Sequence, residues 1–197
     1  SKYSHIRLWG SIGFIVAALS LGIMIDSYGE RSLIYALLVT QLVIFLLAFV
    51  LPEKKINFTQ FNKRSIWPIL KRREVIVLLL SCALMVSSHG LLYNFYSIFL
   101  EDQGYSGATI GLLWSVGVVF EILIFLLMPK ILSKFTLKSV LLISLAFAVL
   151  RFFLIGAYVD SILILIAAQI MHAATFGSFH VASIQLIAHF FYNEHQA

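Results

Sequence analysis

Apolar residues in this chain gather in long blocks, and the polar positions collect in the gaps between them. Six blocks stand out, at roughly 8–25, 32–51, 75–100, 108–128, 137–158 and 161–191. A helix rises about 1.5 Å per residue and needs about 20 mostly apolar residues to cross the hydrocarbon of a bilayer. The pattern therefore predicts an all-α, polytopic membrane protein with six transmembrane helices. Composition agrees: 61% of residues are hydrophobic and 12% are charged, about half the charge of an ordinary soluble domain. The chain begins with Ser in a polar stub and stops at YNEHQA without a terminal signal. It reads as an internal piece of a larger protein.

The gaps carry charge of alternating sign. Lys2 and Arg7 precede the first block, and the next gap holds Asp26, Glu30 and Arg31. The long gap PEKKINFTQFNKRSIWPILKRRE, residues 52–74, has seven Lys/Arg against two Glu. Glu101 and Asp102 follow, then Lys130, Lys134 and Lys138, then Asp160. Lys and Arg concentrate on the cytoplasmic side of short loops. The N-terminus, the 52–74 loop and the C-terminus are thus expected inside an inner (plasma) membrane, although Glu194 leaves the last of these without a basic signature.

The net charge of +5 is accounted for by these loops, so nucleic acid is not an expected partner. Cys82, the single cysteine, allows no disulfide or Cys-based metal site within the chain. Asn57-Phe58-Thr59 matches a glycosylation acceptor but falls in a loop expected inside. SIWPILKRR suits a segment lying on the inner leaflet, and equally a plain basic linker. Gly10, Gly13, Ala17 and Ala18 on the first block, with Gly111 and Ser115 on the fourth, offer places for close helix approach, since helices in lipid associate through backbone proximity.

Once the loop charges are assigned, two charged residues remain inside the apolar blocks: Glu121 in VVFEILIF and Arg151 in LRFF. A charge at the bilayer centre costs about 2.5–3.5 kcal/mol on insertion scales, so each needs a partner or a wet cavity. Counting from the outer ends at about 1.5 Å per residue puts Glu121 about 20 Å deep, Arg151 about 10 Å and His172 about 16 Å. His89 comes out near the level of Arg151. Together with His180, these groups suggest a functional cavity rather than a set of groups that only satisfy one another. Carboxylates in low-dielectric sites can exchange a proton near neutral pH. Histidine also titrates there, and arginine keeps its charge and presents a planar fork to a carboxylate or to hydroxyls.

The third block contains SSHGLLYNFYS, in which His89, Tyr93 and Tyr96 share one helix face. Asn94 lies to the side, and Gly90 beside two serines is a candidate bend. The stripe suits the wall of a binding cavity, or a packed polar seam. No HxxxH or HExxH spacing occurs, so neither a metal nor another cofactor is expected. Nucleophile elbows, phosphate loops and paired catalytic carboxylates are likewise missing, and no enzyme is expected.

YSHIRLWGSIGF, GYSGATIGLLWSVGVVFEILIF, LRFF and QIMHAATFGSFH together resemble the phenylpropionate-permease branch of the major facilitator superfamily. More distantly, the chain resembles the oligosaccharide/proton symporters typified by lactose permease. Arg7, Trp9, Gly10, Gly13 and Phe14 reproduce an R-x-aromatic-G-x-x-G-aromatic opening found there. The resemblance implies twelve helices in two halves, of which these would be helices five to ten. Residues 1–51 would close the N-terminal half, 52–74 would link the halves, and 75–197 would supply the first four helices of the C-terminal half. The first and fourth blocks would meet across the interface between halves.

The resemblance also implies roles. Arg7 matches a sugar-contacting arginine and Phe14 its stacking aromatic, while Arg151 and His172 match the arginine and histidine of a proton-coupling region. Thr175 stands where lactose permease has an essential acid, and Glu121 lies about one turn from that permease's own acid on the same helix. The expected function is a proton symporter, monomeric, for a small organic solute, either an aromatic carboxylate or a sugar-like molecule. Glu121, His172 and Arg151 would couple protons, and Arg7, Phe14, His89, Tyr93, Asn94 and His180 would bind solute. The alternative is a solute sensor built on a transporter fold, without flux.

Overall fold

A computed structural model describes residues 2–50 and 66–191; the side chains of 2–8 lie outside that description. Among the described residues every regular element is helical, and six helices are long and apolar enough to cross a membrane. The protein is a multi-pass, all-α membrane protein. Helix α1 spans Lys2–Tyr28 and α2 spans Arg31–Ala48. A short α3 (Trp67–Leu70) leads into α4, Arg73–Asp102. Next come α5 (Gly107–Leu132) and α6 (Leu137–Ala157). The last crossing is compound: α7 (Ile162–His172), a π-helical stretch over Ala173–Ser178, and α8 (Phe179–Phe191).

Local chemistry sets the ends of these helices. Gly29 closes α1 at φ +77° and Gly104 closes α4 at φ +86°, a backbone region open to glycine because it lacks a Cβ. Ser106 and Thr136 begin α5 and α6, their hydroxyls accepting from the N–H of Thr109 (3.3 Å) and Ser139 (3.2 Å). In α3, Pro68 occupies the first turn, where its missing N–H costs nothing. Ile69 is buried against α4 while Trp67 is exposed. Most of the 52–74 loop, with Asn57 and Thr59, falls outside the described residues.

Helices α4 to α8 form a packed unit. Leu92, Leu100, Leu113 and Leu165 belong to one cluster, and Leu78, Met85, Ala148 and Phe179 to another. The outward face is left to Leu, Val, Ile and Phe, such as Val86, Leu126 and Val149, which suits a solvent of lipid tails. α4 runs as one continuous helix through Gly90. The Ser88 hydroxyl donates to the carbonyl of Met85 and the Asn94 amide to that of Gly90, inside the helix's own ladder.

α1 packs along α5, as the small residues on both suggested, but different glycines make the contact. A Cβ on Gly22 would collide with the backbone of Gly107, and one on Gly111 with the carbonyl of Ala18. Among the described residues, a Cβ at Gly10 or Gly13 would meet nothing within 4 Å. The two helices therefore touch at the Asp26 end and diverge towards Gly10. Among the described residues α1 packs most extensively on α5 and next on α2, so the contact with α5 does most to position it on the rest of the molecule.

Candidate functional site

The divergence of α1 from α5 opens a cavity of about 350 Å³. Ser11 and Phe14 of α1 form one wall. Tyr93 of α4, Trp114 and Glu121 of α5, and His172 at the end of α7 form the other. Trp114, Val118 and Glu121 fall at i, i+4 and i+7, so a single face of α5 supplies three lining residues. The volume falls within the range of small-molecule sites, and a mostly apolar wall with a few polar groups is their usual makeup.

Rings dominate the wall. Tyr93 lies 5.7 Å from Trp114 and 6.4 Å from His172 between centroids, the latter pair near edge-to-face. Trp114 is steadied by its indole N–H, which donates to Ser97 Oγ at 3.0 Å, and by Tyr96, edge-on at 5.4 Å. His172, Phe176 and His180 form a column, with interplanar angles of 10° and 12°. Such pairs contribute about 0.5–1.5 kcal/mol beyond their burial, so the column holds the His172 ring in place.

Glycines bring the acid-bearing helix against the histidine-bearing crossing. A Cβ on Gly117 would stand 3.0 Å from Gln169 Oε1 and 3.5 Å from His172 Cδ2. One on Gly177 would stand 3.5 Å from Glu121 Cγ. Larger residues at either position would hold α5 away from Glu121's present neighbours.

Arg151 sits behind this wall at 0% exposure. Its Nη1 donates to Thr175 Oγ1 at 3.2 Å and to His89 Nε2 at 3.5 Å, and the guanidinium lies 5.3 Å from the Phe152 ring centroid. Thr175 in turn donates to the carbonyl of His172 at 3.1 Å. His89 Nδ1 is 3.0 Å from the Met85 carbonyl. A carbonyl only accepts, so Nδ1 carries the hydrogen and Nε2 is the acceptor for Arg151. Arg151 thus shares a level with His89 and reaches the last crossing through Thr175.

The nominated residues therefore divide. Phe14, Tyr93, Glu121 and His172 meet in one cavity. His89 and Arg151 form a buried layer behind it, and His180 adjoins through Phe176. Asn94 is exposed and turned onto its own helix. The side chain of Arg7 lies outside the described residues. Trp114 and Gln169 were not nominated. The signal for each was available: Trp114 lies seven residues before Glu121 and Gln169 three before His172, both on the same helix face as their partner.

Six crossings with a cavity among them invite comparison with known families. The sequence profile of the MFS_1 like family matches residues 1–197. The chain belongs to that family. A protein of Escherichia coli (strain K12) named "Probable 3-phenylpropionic acid transporter" is 32% identical over 191 residues, covering 94% of this chain and 50% of the relative. "Uncharacterized transporter YwbF" of Bacillus subtilis (strain 168) is 26% identical over 188 residues, covering 94% and 47%. The chain thus spans about half the length of these relatives. No solved structure matches it significantly.

Proposed function

We propose that the chain is part of a secondary active transporter that moves a small organic solute together with a proton by alternating access. Its two similar relatives both carry the word transporter in their names, and the family match covers the whole chain. The observation that carries the finer reading is the cavity shared by Glu121 and His172, facing Phe14 across the gap between α1 and α5. A carboxylate that borders an apolar cavity within a membrane is suited to take up a proton with the solute and give it up on the other side. His172, beside it, adjusts how readily the proton leaves, and Arg151 acts on both from behind.

The solute is an aromatic carboxylate or a sugar-like molecule. Four rings in the lining, Phe14, Tyr93, Trp114 and His172, favour a flat apolar body with a polar end. In this reading residues 1–51 complete the N-terminal half, 52–74 cross between halves on the cytoplasmic side, and 75–197 begin the C-terminal half, which rocks against the first about the site. The protein works as a monomer in the inner membrane, with its N-terminus and C-terminus also cytoplasmic.

The deciding experiment records external pH in de-energised cells carrying the full-length protein while aromatic acids, sugars and nucleosides are added. Alkalinisation with one compound, lost in Glu121→Gln, is the expected result. Solute binding without flux in the wild type would replace the transporter with a sensor, and coupling that survives in Glu121→Gln would remove the proton from Glu121.

A further inference from the structure

Behind the cavity wall, three helices bring together polar groups with atoms that the roles above leave unused. Arg151 on α6 and Gln169 on α7 are completely buried, and Tyr96 on α4 is nearly so. Arg151 commits Nη1 to Thr175 and His89, while its Nε and Nη2 have no hydrogen-bond partner among the described residues. Apart from each other, the Gln169 amide and the Tyr96 hydroxyl have no hydrogen-bond partner among the described residues. Tyr96 lies beside Gln169 and within electrostatic reach of Arg151, so the three form one cluster. The Gln169 amide is backed by the α5 backbone at Gly117, one turn before Glu121.

An unmet buried donor or acceptor costs about 1–3 kcal/mol, and more where the group is charged. The unmet atoms also define a shape. Nε and Nη2 bound one edge of the guanidinium plane, the edge that offers a carboxylate two parallel hydrogen bonds. Gln169 NH₂ and Tyr96 OH add donors from neighbouring helices. A cation would be repelled by Arg151, and a lone hydroxyl would leave its charge uncompensated. Nη1 is already held, so the orientation of the free edge is fixed before anything binds.

We propose that Arg151, Gln169 and Tyr96 form a subsite for the carboxylate of an anionic solute, with the Nε–Nη2 edge of Arg151 taking its two oxygens and Gln169 setting its orientation. This rests on the reading of the protein as a small-solute transporter and names the solute's polar end. A carboxylate could also come from Glu121, whose helix passes Gln169 at Gly117. The two sources predict different results.

The test is equilibrium binding to purified full-length protein, which needs no proton gradient. The probes are 3-phenylpropionate, the acid in the name of the Escherichia coli relative, and its uncharged amide. Wild type is expected to prefer the acid by about tenfold or more, the scale of a charge-assisted bidentate contact. Gln169→Leu and Arg151→Lys should lose that preference while still binding the amide. Gln169→Glu should lose it too, because the new carboxylate occupies the Arg151 edge, and it serves as the variant that keeps the buried charge paired. Whatever Glu121→Gln does to affinity overall, the acid-to-amide ratio should survive in it. A wild type without preference, Gln169 variants that keep it, or a Glu121→Gln that alone abolishes it would each overturn the assignment. An intact preference without flux would instead defeat the transport reading and leave the subsite standing.

Discussion

Asp26 of α1 holds the first turn of α5: its Oδ1 accepts from the N–H of Gly107 at 2.6 Å, and its Oδ2 from that of Ala108 at 2.7 Å. These amides belong to the group at a helix start that has no partner within the helix, and a negative charge there also meets the positive end of the helix dipole. The cap comes from another crossing, so it ties α1 to α5 as well as completing α5.

Asp26→Ala is expected to lower the stability of the full-length protein by about 1 kcal/mol, the scale of a lost cap. Asp26→Asn, which keeps one acceptor oxygen, should lose less. Thermal unfolding of the purified protein in detergent reads the difference, and an Asn variant as weak as the Ala variant would show that charge matters more than the hydrogen bonds.

The glycines of α1 and α5 should differ sharply in tolerance. Gly111→Ala drives a Cβ into the carbonyl of Ala18 and is expected to cost about 1–3 kcal/mol, as overpacking does. Gly10→Ala meets nothing and should be neutral or gain up to about 1 kcal/mol from helix propensity. The same unfolding measurement compares them. Equal effects would contradict the divergence of the two helices.

Thr175→Val keeps the shape of the side chain and removes the oxygen that accepts from Arg151 Nη1. A cost of about 1–3 kcal/mol is expected from the uncompensated donor, and Thr175→Ser should restore most of it. Denaturant or thermal midpoints of the purified variants provide the check. A Val variant with wild-type stability would place the anchor of Arg151 elsewhere.

The crossings were legible because membrane helices write themselves into hydropathy, and the family was legible in motifs around Arg7, Glu121 and Arg151. Residue counting at a fixed rise placed Arg151 at the level of His89, where the two now touch. Finer features depended on neighbours that a single chain pattern does not name. Gly10 and Gly13 looked like contact points because small residues mark close approach, yet composition does not say at which end two helices cross; Gly22 and Gly111 decide that. Gln169 carries no charge, so the loop-charge balance that isolates Glu121 and Arg151 does not single it out. Trp114 read as one more apolar residue in an apolar span. The π-helical stretch over Ala173–Ser178 has no compositional mark, since its wider turn is held from outside, by Thr175 on Arg151 and by Ser178 on Ser144.

The meeting of α1 and α5 at one end gives the cavity the mechanics of a lever. Ala18 and Gly22 act as the fulcrum, and Gly10 lies eight residues beyond Ala18, about 12 Å along the axis. A rotation of about 10° at the crossing would therefore move the far arm by about 2 Å. The width of the gap between Phe14 and Glu121 is set by an angle between two backbones more than by the bulk of either side chain.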